Sequence, residues 1–234
     1  MLMKEKIVVW CVLMALSVPA LAGVGFSRNR MVYPEGSQSI SLKVTNSGNN
    51  PYLIQARVTA DTDGRQPAPF MVTPPLFRLD GQGEAMMRII MAGADLPHDR
   101  ESVFYFSGRA IPTEAPTEAG AGKLGASVSM STRSVMKVFY RPKGLQMAQA
   151  DSPDRMTFSR TAKGVRVKNP TAYYQSFALL TFDGREQDLD GQPSMVPPFG
   201  ELVFPAREAV KSVSWRVMND YGGATELKTQ SVQE

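Results

Sequence analysis

The chain has 234 residues, of which 43% are hydrophobic and 21% charged, a balance typical of a folded globular protein rather than a disordered one. Its 26 lysine and arginine residues are scattered, and the net charge of +4 is too small to favour nucleic acid or an acidic membrane as a partner. The single cysteine, Cys11, and the single histidine, His98, argue against a disulfide and against a zinc site.

The N-terminus has the organisation of a secretory signal peptide. Residues 4–6 are charged, residues 7–18 are apolar, and small residues precede Gly23. The apolar run is about twelve residues long, whereas a membrane-spanning helix needs about 20, so a retained membrane anchor is the weaker alternative. We expect residues 1–22 to be cleaved, leaving a mature chain without Cys11 and without insertion in a membrane.

Apolar residues recur at every second position in short stretches, the pattern typical of half-buried strands. Residues 39–45 (SISLKVT) alternate in this way and end at a loop-forming stretch, residues 46–51 (NSGNNP). The other predicted strands are residues 53–59, 85–91, 103–110, 128–140, 165–168, 173–182, 202–204 and 210–217. Many short strands separated by turn residues predict an all-β chain built from β-sandwiches.

Two stretches lack the strand pattern. Residues 112–125 are rich in proline, glycine, threonine and glutamate and predict a long loop. Residues 143–154 follow the end of a long predicted strand and contain turn residues, so we place the domain boundary there. The prediction is an N-terminal domain of residues 23–145 and a C-terminal domain of residues 146–234.

The segment between this loop and the boundary begins with residues 124–132 (LGASVSMST), in which apolar residues alternate with small polar ones. Its apolar members include Ala126, Val128 and Met130. The pattern alone favours an ordinary interior strand of a sandwich, which would bury these side chains in the core of its own domain.

Residues 137–142 (KVFYRP) follow on the same predicted strand. They resemble the signature that closes the first domain of periplasmic pilus-assembly chaperones of the chaperone/usher pathway. Other motifs that resemble this family occur in the same order, at residues 49–53 (NNPYL), 72–79 (VTPPLFRL), 96–105 (LPHDRESVFY), 169–174 (NPTAYY) and 219–223 (NDYGG). Together they cover nearly all of the mature chain, which makes the resemblance far more specific than any one motif.

The resemblance implies two immunoglobulin-like β-sandwiches arranged as a boomerang, with a cleft between them that binds pilus subunits. Chaperones of this family act in the periplasm, cap fimbrial subunits and deliver them to an outer-membrane usher. They insert a strand of their first domain into a subunit that lacks its own last strand, a form of β-augmentation. The inserted side chains here would be Ala126, Val128 and Met130, and whether self-association hides this strand in the free chaperone stays open.

The resemblance also implies a cationic anchor for the C-terminal carboxylate of the subunit, formed by Arg30 and Lys137. From the pattern alone, a cation within a strand is more often an outward, solvated side chain, and Arg28 is a nearby residue of that kind. Lys137 is out of phase with the row that ends at Met130, which predicts a β-bulge or a strong twist between them.

In this family, buried charges hold the two domains at their angle, and the resemblance assigns this role to Arg88, Glu101 and Asp220. The alternative is three unrelated surface charges. Residues 73–75 (TPP) match a segment near the surface that faces subunit and usher, although proline is also common at strand edges. The loop at residues 112–125 is longer than in the short-loop subfamily. The cysteine pair common in the long-loop subfamily is missing, so the type of fibre stays open.

Two other functions remain as alternatives. Residues 134–137 (SVMK) and 47–49 (SGN) match motifs of penicillin-binding enzymes, but they occur in reversed order and in strand-like sequence, and residues 228–230 (KTQ) lack the required glycine. We therefore expect no enzyme, no metal and no cofactor. A pilus subunit or adhesin would be a single incomplete sandwich with an N-terminal donor extension, unlike this two-domain pattern.

Overall fold

The computed structural model describes residues 23–113, 130–206 and 209–233. Over these residues the chain folds into two β-sandwiches, joined by a segment that contains a 3₁₀ helix, Gln149–Arg155. The first sandwich contains strands β1 (Val24–Phe26), β2 (Arg30–Pro34), β3 (Ile40–Asn46), β4 (Tyr52–Thr59), β5 (Phe70–Thr73), β6 (Leu76–Leu79), β7 (Glu84–Met91), β8 (Ser102–Pro112) and β9 (Thr132–Arg141). The second contains β10 (Thr157–Thr161), β11 (Gly164–Lys168), β12 (Gln175–Phe182), β13 (Arg185–Glu186), β14 (Met195–Val196), β15 (Glu201–Pro205), β16 (Ser212–Val217) and β17 (Lys228–Ser231).

The first sandwich packs two sheets face to face. One sheet has the strand order β1-β3-β7-β5 and the other has the order β2-β9-β8-β4-β6. The alternation predicted for residues 39–45 is present in β3, where Leu42 and Val44 are buried and Ser41 and Thr45 are exposed. Inward side chains from both sheets form one core, which includes Met31, Leu42, Ile54, Met87, Phe106 and Val138.

The second sandwich repeats this construction. One sheet has the order β10-β11-β15, and the other has the order β13-β12-β16-β17, with β14 paired to β12. Its separate core includes Phe158, Val167, Leu180, Phe204, Val213 and Trp215. Because burying a large apolar side chain contributes about 1.5–3 kcal/mol, each sandwich has its own source of stability.

Strand β9 has a free edge that matters for the site described below. On one side it pairs antiparallel with β8 along nearly its whole length. On the other side it pairs in parallel with β2, but only from Lys137 onward, because β2 begins at Arg30. The edge of β9 from Thr132 to Met136 therefore has no neighbouring strand among the described residues.

The predicted all-β fold with two immunoglobulin-like sandwiches is confirmed. The division at residue 145 stays a prediction. The signal peptide assigned to residues 1–22 lies outside the described residues, as do Ala126 and Val128 of the predicted donor row. In the part of the chain that the structure describes, no helix is long and apolar enough to cross a membrane.

Candidate functional site

Two cations meet at the base of a cleft between the sandwiches. Arg30, the first residue of β2, and Lys137 on β9 are direct partners in the parallel pairing of these strands. The structure thus brings together the two residues that the sequence assigned to the anchor. They line a cavity of about 410 Å³ together with Asn29, Thr62, Tyr105 and Val135 of the first sandwich and Ser176 and Met218 of the second.

Arg30 is buried, with only 7% of its surface exposed, although it carries a charge. Its guanidinium lies over the ring of Phe139, 4.5 Å from the centroid, and its Nη1 donates a hydrogen bond to the carbonyl oxygen of Met218 at 2.9 Å. Its Nε is buried with no hydrogen-bond partner among the described residues. Burial lowers the pKa of Arg30, and the negative charges of Asp220 and Glu101 oppose this shift only in part.

Lys137 is half-buried beside Arg30 and has no hydrogen-bond or ion-pair partner within the described ranges. Burial lowers the pKa of its ammonium group, and the positive charge of Arg30 lowers it further. Arg28, by contrast, is exposed. The base of the cleft therefore carries two desolvated positive charges, an arrangement that favours an anion. A carboxylate suits it, because arginine can donate two parallel hydrogen bonds and lysine adds a compact charge.

A third polar group faces the same cavity from the second sandwich. The Oγ of Ser176 on β12 is buried and has no hydrogen-bond partner in the described part of the chain. Leaving a buried hydroxyl without a partner costs about 1–3 kcal/mol, so the cavity presents an unsatisfied donor beside the two cations. The sequence motifs do not indicate Ser176, because a serine within a strand carries no distinguishing pattern.

Three charged residues connect the two sandwiches beside the cleft. Arg141, at the end of β9, donates from Nε to Glu101 Oε1 at 2.8 Å and from Nη1 and Nη2 to the two carboxylate oxygens of Asp220, both at 2.7 Å. Glu101 Oε2 also accepts a hydrogen bond from the backbone N–H of Tyr174 in the second sandwich at 2.9 Å. Burial alone would lower the pKa of Arg141, but its hydrogen bonds to Asp220 and Glu101 and the negative charges of these residues raise it.

The prediction that Arg88 belongs to this interdomain network is wrong. Arg88 lies on β7, in the other sheet of the first sandwich, and its side chain is exposed. Glu101 and Asp220 do belong to the network, and their cation is Arg141. The sequence contains a signal for it, since Arg141 lies four residues after Lys137 and this spacing places both side chains on one face of a strand.

The side chains of β9 alternate without interruption. The register with β8 runs continuously, with Met136 and Val138 buried in the domain core and Val135 and Lys137 lining the cleft. No β-bulge is found in β9 from Thr132 to Tyr140; a strong twist, the other form of this expectation, stays a prediction. Met130 lies just before β9 and is 75% exposed. Continued at the same period, the strand would place Met130 on the face opposite Lys137.

Both sandwiches match domains of known proteins. Residues 23–146 match the PapD N-terminal domain of pili and flagellar-assembly chaperones, and residues 151–229 match the C-terminal domain of the pili assembly chaperone PapD. The chain belongs to the pili assembly chaperone family. The family that the sequence motifs indicated is thereby confirmed.

Relatives of this chaperone are similar over most of their length. The probable fimbrial chaperone protein ElfD of Escherichia coli O157:H7 is 37% identical over 206 residues, which cover 87% of this chain and 84% of ElfD. The chaperone protein FocC of Escherichia coli is 33% identical over 227 residues, which cover 93% of this chain and 96% of FocC.

Solved structures of chaperones have the same two-domain fold. The Salmonella enterica complex of SafA pilin with the SafB chaperone matches with a TM-score of 0.79 and 29% identity, over 92% of this chain and 99% of the matched chain. The Escherichia coli chaperone DraB matches with a TM-score of 0.79 and 32% identity, over 90% of this chain and 97% of DraB. The alternative of a pilus subunit or adhesin is not favoured by these matches.

The remaining sequence motifs of this chaperone lie away from the cavity or do not form a site. Pro74 follows a cis peptide bond between β5 and β6, and a role of residues 73–75 in facing subunit and usher stays a prediction. Ser134 and Lys137 lie on a strand, not at a helix start, and point to opposite faces of it. Nowhere in the described residues do three histidine, cysteine, aspartate or glutamate side chains cluster as metal ligands would.

Proposed function

We propose that this chain is a periplasmic, non-enzymatic chaperone that binds, folds and caps pilus subunits and delivers them to an outer-membrane usher. One observation carries the proposal. Two desolvated cations, Arg30 and Lys137, have no carboxylate partner among the described residues, and they stand where the free edge of β9 ends. This combination suits the C-terminal carboxylate of a strand added to that edge.

The position of Arg30 determines how far an added strand can extend and which way it runs. Because β2 begins at Arg30 and runs parallel to β9, a guest strand on the edge from Thr132 to Met136 must stop there. A guest strand that stops with its own C-terminus presents its carboxylate to Arg30 and Lys137, and it runs parallel to β9 as β2 does. Main-chain hydrogen bonds then cover a sheet edge that would otherwise promote aggregation.

The energetics of the cavity favour a carboxylate. Each hydrogen bond to a charged group contributes about 1.5–3 kcal/mol, and the hydroxyl of Ser176 adds a neutral donor from the second domain. A bound carboxylate also stabilises the protonated form of Lys137, which moves its lowered pKa back toward the ordinary range. The anchor therefore binds the subunit terminus and fixes the register of strand pairing.

The donor row adds apolar contacts to this anchor. Ala126, Val128 and Met130 directly precede β9 in the chain, and the exposed side chain of Met130 is available for burial in a partner. Burying a valine or methionine side chain contributes about 1.5–3 kcal/mol, whereas alanine adds little. Backbone pairing and the anchor must supply the rest of the affinity.

The interdomain network keeps the cleft in a shape that can bind the terminus. Arg141 lies on the same strand as Lys137 and is ion-paired to Asp220 of the second domain. Through this pair, the second domain is held so that Ser176 and Met218 reach the cavity of the anchor. A change in the interdomain angle would separate the hydroxyl from the two cations.

Location and partners are inferred from the family. Relatives are named fimbrial chaperones, one matched structure is a pilin in complex with its chaperone, and another is the periplasmic chaperone SfaE. For this chain we propose export with cleavage of residues 1–22, a periplasmic location, and pilus subunits and an usher as partners. Self-association would shield the donor row of the free chaperone.

Periplasmic co-expression with a pilus subunit tests the proposal. The wild-type chaperone should copurify with the subunit, and Lys137→Ala should lose the complex while remaining folded. Arg28→Ala is the matched control, because Arg28 is an exposed cation near Arg30, and it should retain the complex. Equal complex yields for wild type and Lys137→Ala would contradict the anchor, and recovery of this chain in sheared surface fibres would favour a pilus subunit instead.

A further inference from the structure

Three arginine side chains form a cationic patch on the sheet that carries the anchor. Arg57 lies on β4, Arg109 on β8 and Arg133 on β9, and all three are exposed; we call them the arginine patch. Arg109 and Arg133 are direct cross-strand partners, and Arg57 stands opposite Ser107 on the neighbouring strand. Like charges directly opposite each other in a sheet are destabilising, so the free chain carries this arrangement at a cost to its own stability.

Arg133 is held in a fixed position. Its Nε donates to Ser107 Oγ at 2.8 Å and its Nη2 donates to the carbonyl oxygen of Thr62 at 2.7 Å, which leaves other N–H groups of the guanidinium for a partner. Gly64 lies against two members of the patch: a Cβ at this position would sit 2.7 Å from Arg57 Nη2 and 3.3 Å from Arg133 Nη2. The two guanidinium groups therefore converge on one point.

No carboxylate among the described residues neutralises the patch. Asp61 and Asp63 lie in the adjoining turn, but the carboxylate of Asp61 accepts hydrogen bonds from the backbone N–H groups of residues 64–66. Neither acid forms an ion pair with an arginine of the patch. The patch thus resembles the anchor in presenting cations without a carboxylate partner among the described residues.

The patch is continuous with the anchor along β9. Arg133 and Lys137 lie on one face of the strand, with the exposed side chain of Val135 between them. Four residues of extended chain span about 13 Å. Because Arg30 occupies the edge position beside Lys137, the last residue of a parallel guest strand lies beside Met136 and its carboxylate reaches Lys137. The residue three positions before its C-terminus then lies beside Arg133, on the same face. A complementary guest therefore has an acidic side chain, then an apolar one, then its terminal carboxylate.

We propose that the arginine patch recognises an aspartate or glutamate three residues before the C-terminal residue of the pilus subunit. This second contact fixes the register of the added strand at a point distant from the anchor. The proposal rests on the proposed function, since the C-terminal carboxylate of the subunit must bind at Lys137. A second copy of the chaperone is the weaker occupant, because two arginine patches brought together would repel each other.

Synthetic peptides test this recognition without a subunit. The probe is a short peptide of alternating valine and threonine with a free C-terminus and a glutamate three residues before its last residue. A second peptide has glutamine there, and a third is the glutamate peptide with an amidated C-terminus. Titration against the full mature chaperone should show the glutamate peptide binding about three- to tenfold more tightly than the glutamine peptide at low salt. The difference should shrink at high salt.

The chaperone variants complete the experiment. Arg109→Gln combined with Arg133→Gln should abolish the difference between the two peptides. Arg155→Gln combined with Lys163→Gln, which removes two exposed charges from the second domain, should keep it. Equal binding of the glutamate and glutamine peptides to wild type would overturn the proposal. If amidation of the C-terminus still weakened binding in that case, the assignment of the anchor would be retained. Binding that is unaffected by amidation, or no binding of the glutamate peptide, would overturn the anchor and this recognition together.

Discussion

Replacing Lys137 with methionine separates the function of the anchor from the stability of the free chaperone. Lys137 is half-buried next to the cation of Arg30, and burial and that charge both disfavour its protonated form. Methionine has a similar length and no charge, so it can fill the same space without the desolvation cost. We expect the free variant to unfold with a free energy about 0.5–2 kcal/mol higher than wild type, and to lose binding of the subunit carboxylate.

The stability difference depends on pH in a defined direction. The pKa of Lys137 in the folded chain lies below its ordinary value of 10.5, so at pH values between the two the unfolded chain binds more protons than the folded chain. Wild-type stability therefore rises as the pH increases through this window, because the folded chain sheds the unfavourable charge first. The methionine variant has no such charge, and its advantage over wild type is largest at neutral pH and shrinks toward pH 10.5.

Urea unfolding of the free proteins from neutral to alkaline pH measures both effects. Lys163→Met is the matched control, since Lys163 is an exposed lysine of the second domain, and it should change stability by less than about 0.5 kcal/mol. A Lys137→Met variant less stable than wild type at neutral pH would refute the reasoning, because it would show that the unpaired ammonium contributes favourably to the free fold.

Asp220→Asn should lower the free energy of unfolding by about 1–3 kcal/mol, because Arg141 then keeps only Glu101 as a charged partner; calorimetry measures the loss, and small-angle scattering should show a wider range of interdomain angles. Unchanged scattering would contradict a role in holding the cleft. Ser176→Ala should weaken binding of a free-acid peptide about two- to tenfold without lowering stability, since its hydroxyl has no partner among the described residues. Equal affinity in a peptide titration would remove Ser176 from the site.

The sandwiches could be predicted from the sequence because burial of one face of a strand is a local property with a period of two. Leu42 and Val44 are buried as the alternation of β3 predicts. The anchor could not be derived in this way, because Arg30 and Lys137 are far apart in the chain and become neighbours only through the parallel pairing of β2 with β9. Only the resemblance to a family linked them, and the structure then supplied the burial that gives the pair its chemistry.

The assignment of Arg88 failed because it depended on which sheet of the first sandwich faces the second domain. Arg88 and Arg141 both lie in strands among apolar residues, and what distinguishes them is which sheet faces Asp220, a residue 79 positions from Arg141 in the chain. The β-bulge was predicted because the anchor and the donor row were assumed to share one face of the strand. Within β9 itself the register is uninterrupted, and alternation places Lys137 on the cleft side and Met136 on the core side.

The unsatisfied groups of this chaperone collect on one side of β9 and around its end. Arg30, Lys137 and Ser176 stand without full partners in the described chain, and the cations of the arginine patch continue along the same face. In the proposed complex, a guest strand with a terminal carboxylate supplies partners for these groups, so the cost of leaving them without full partners becomes differential affinity for the complex. Because Ser176 belongs to the second domain, a carboxylate bound to all three groups also stabilises the interdomain arrangement. In the proposed complex, subunit binding and the interdomain arrangement are therefore coupled, and we expect the subunit-bound chaperone to be the more rigid of the two states.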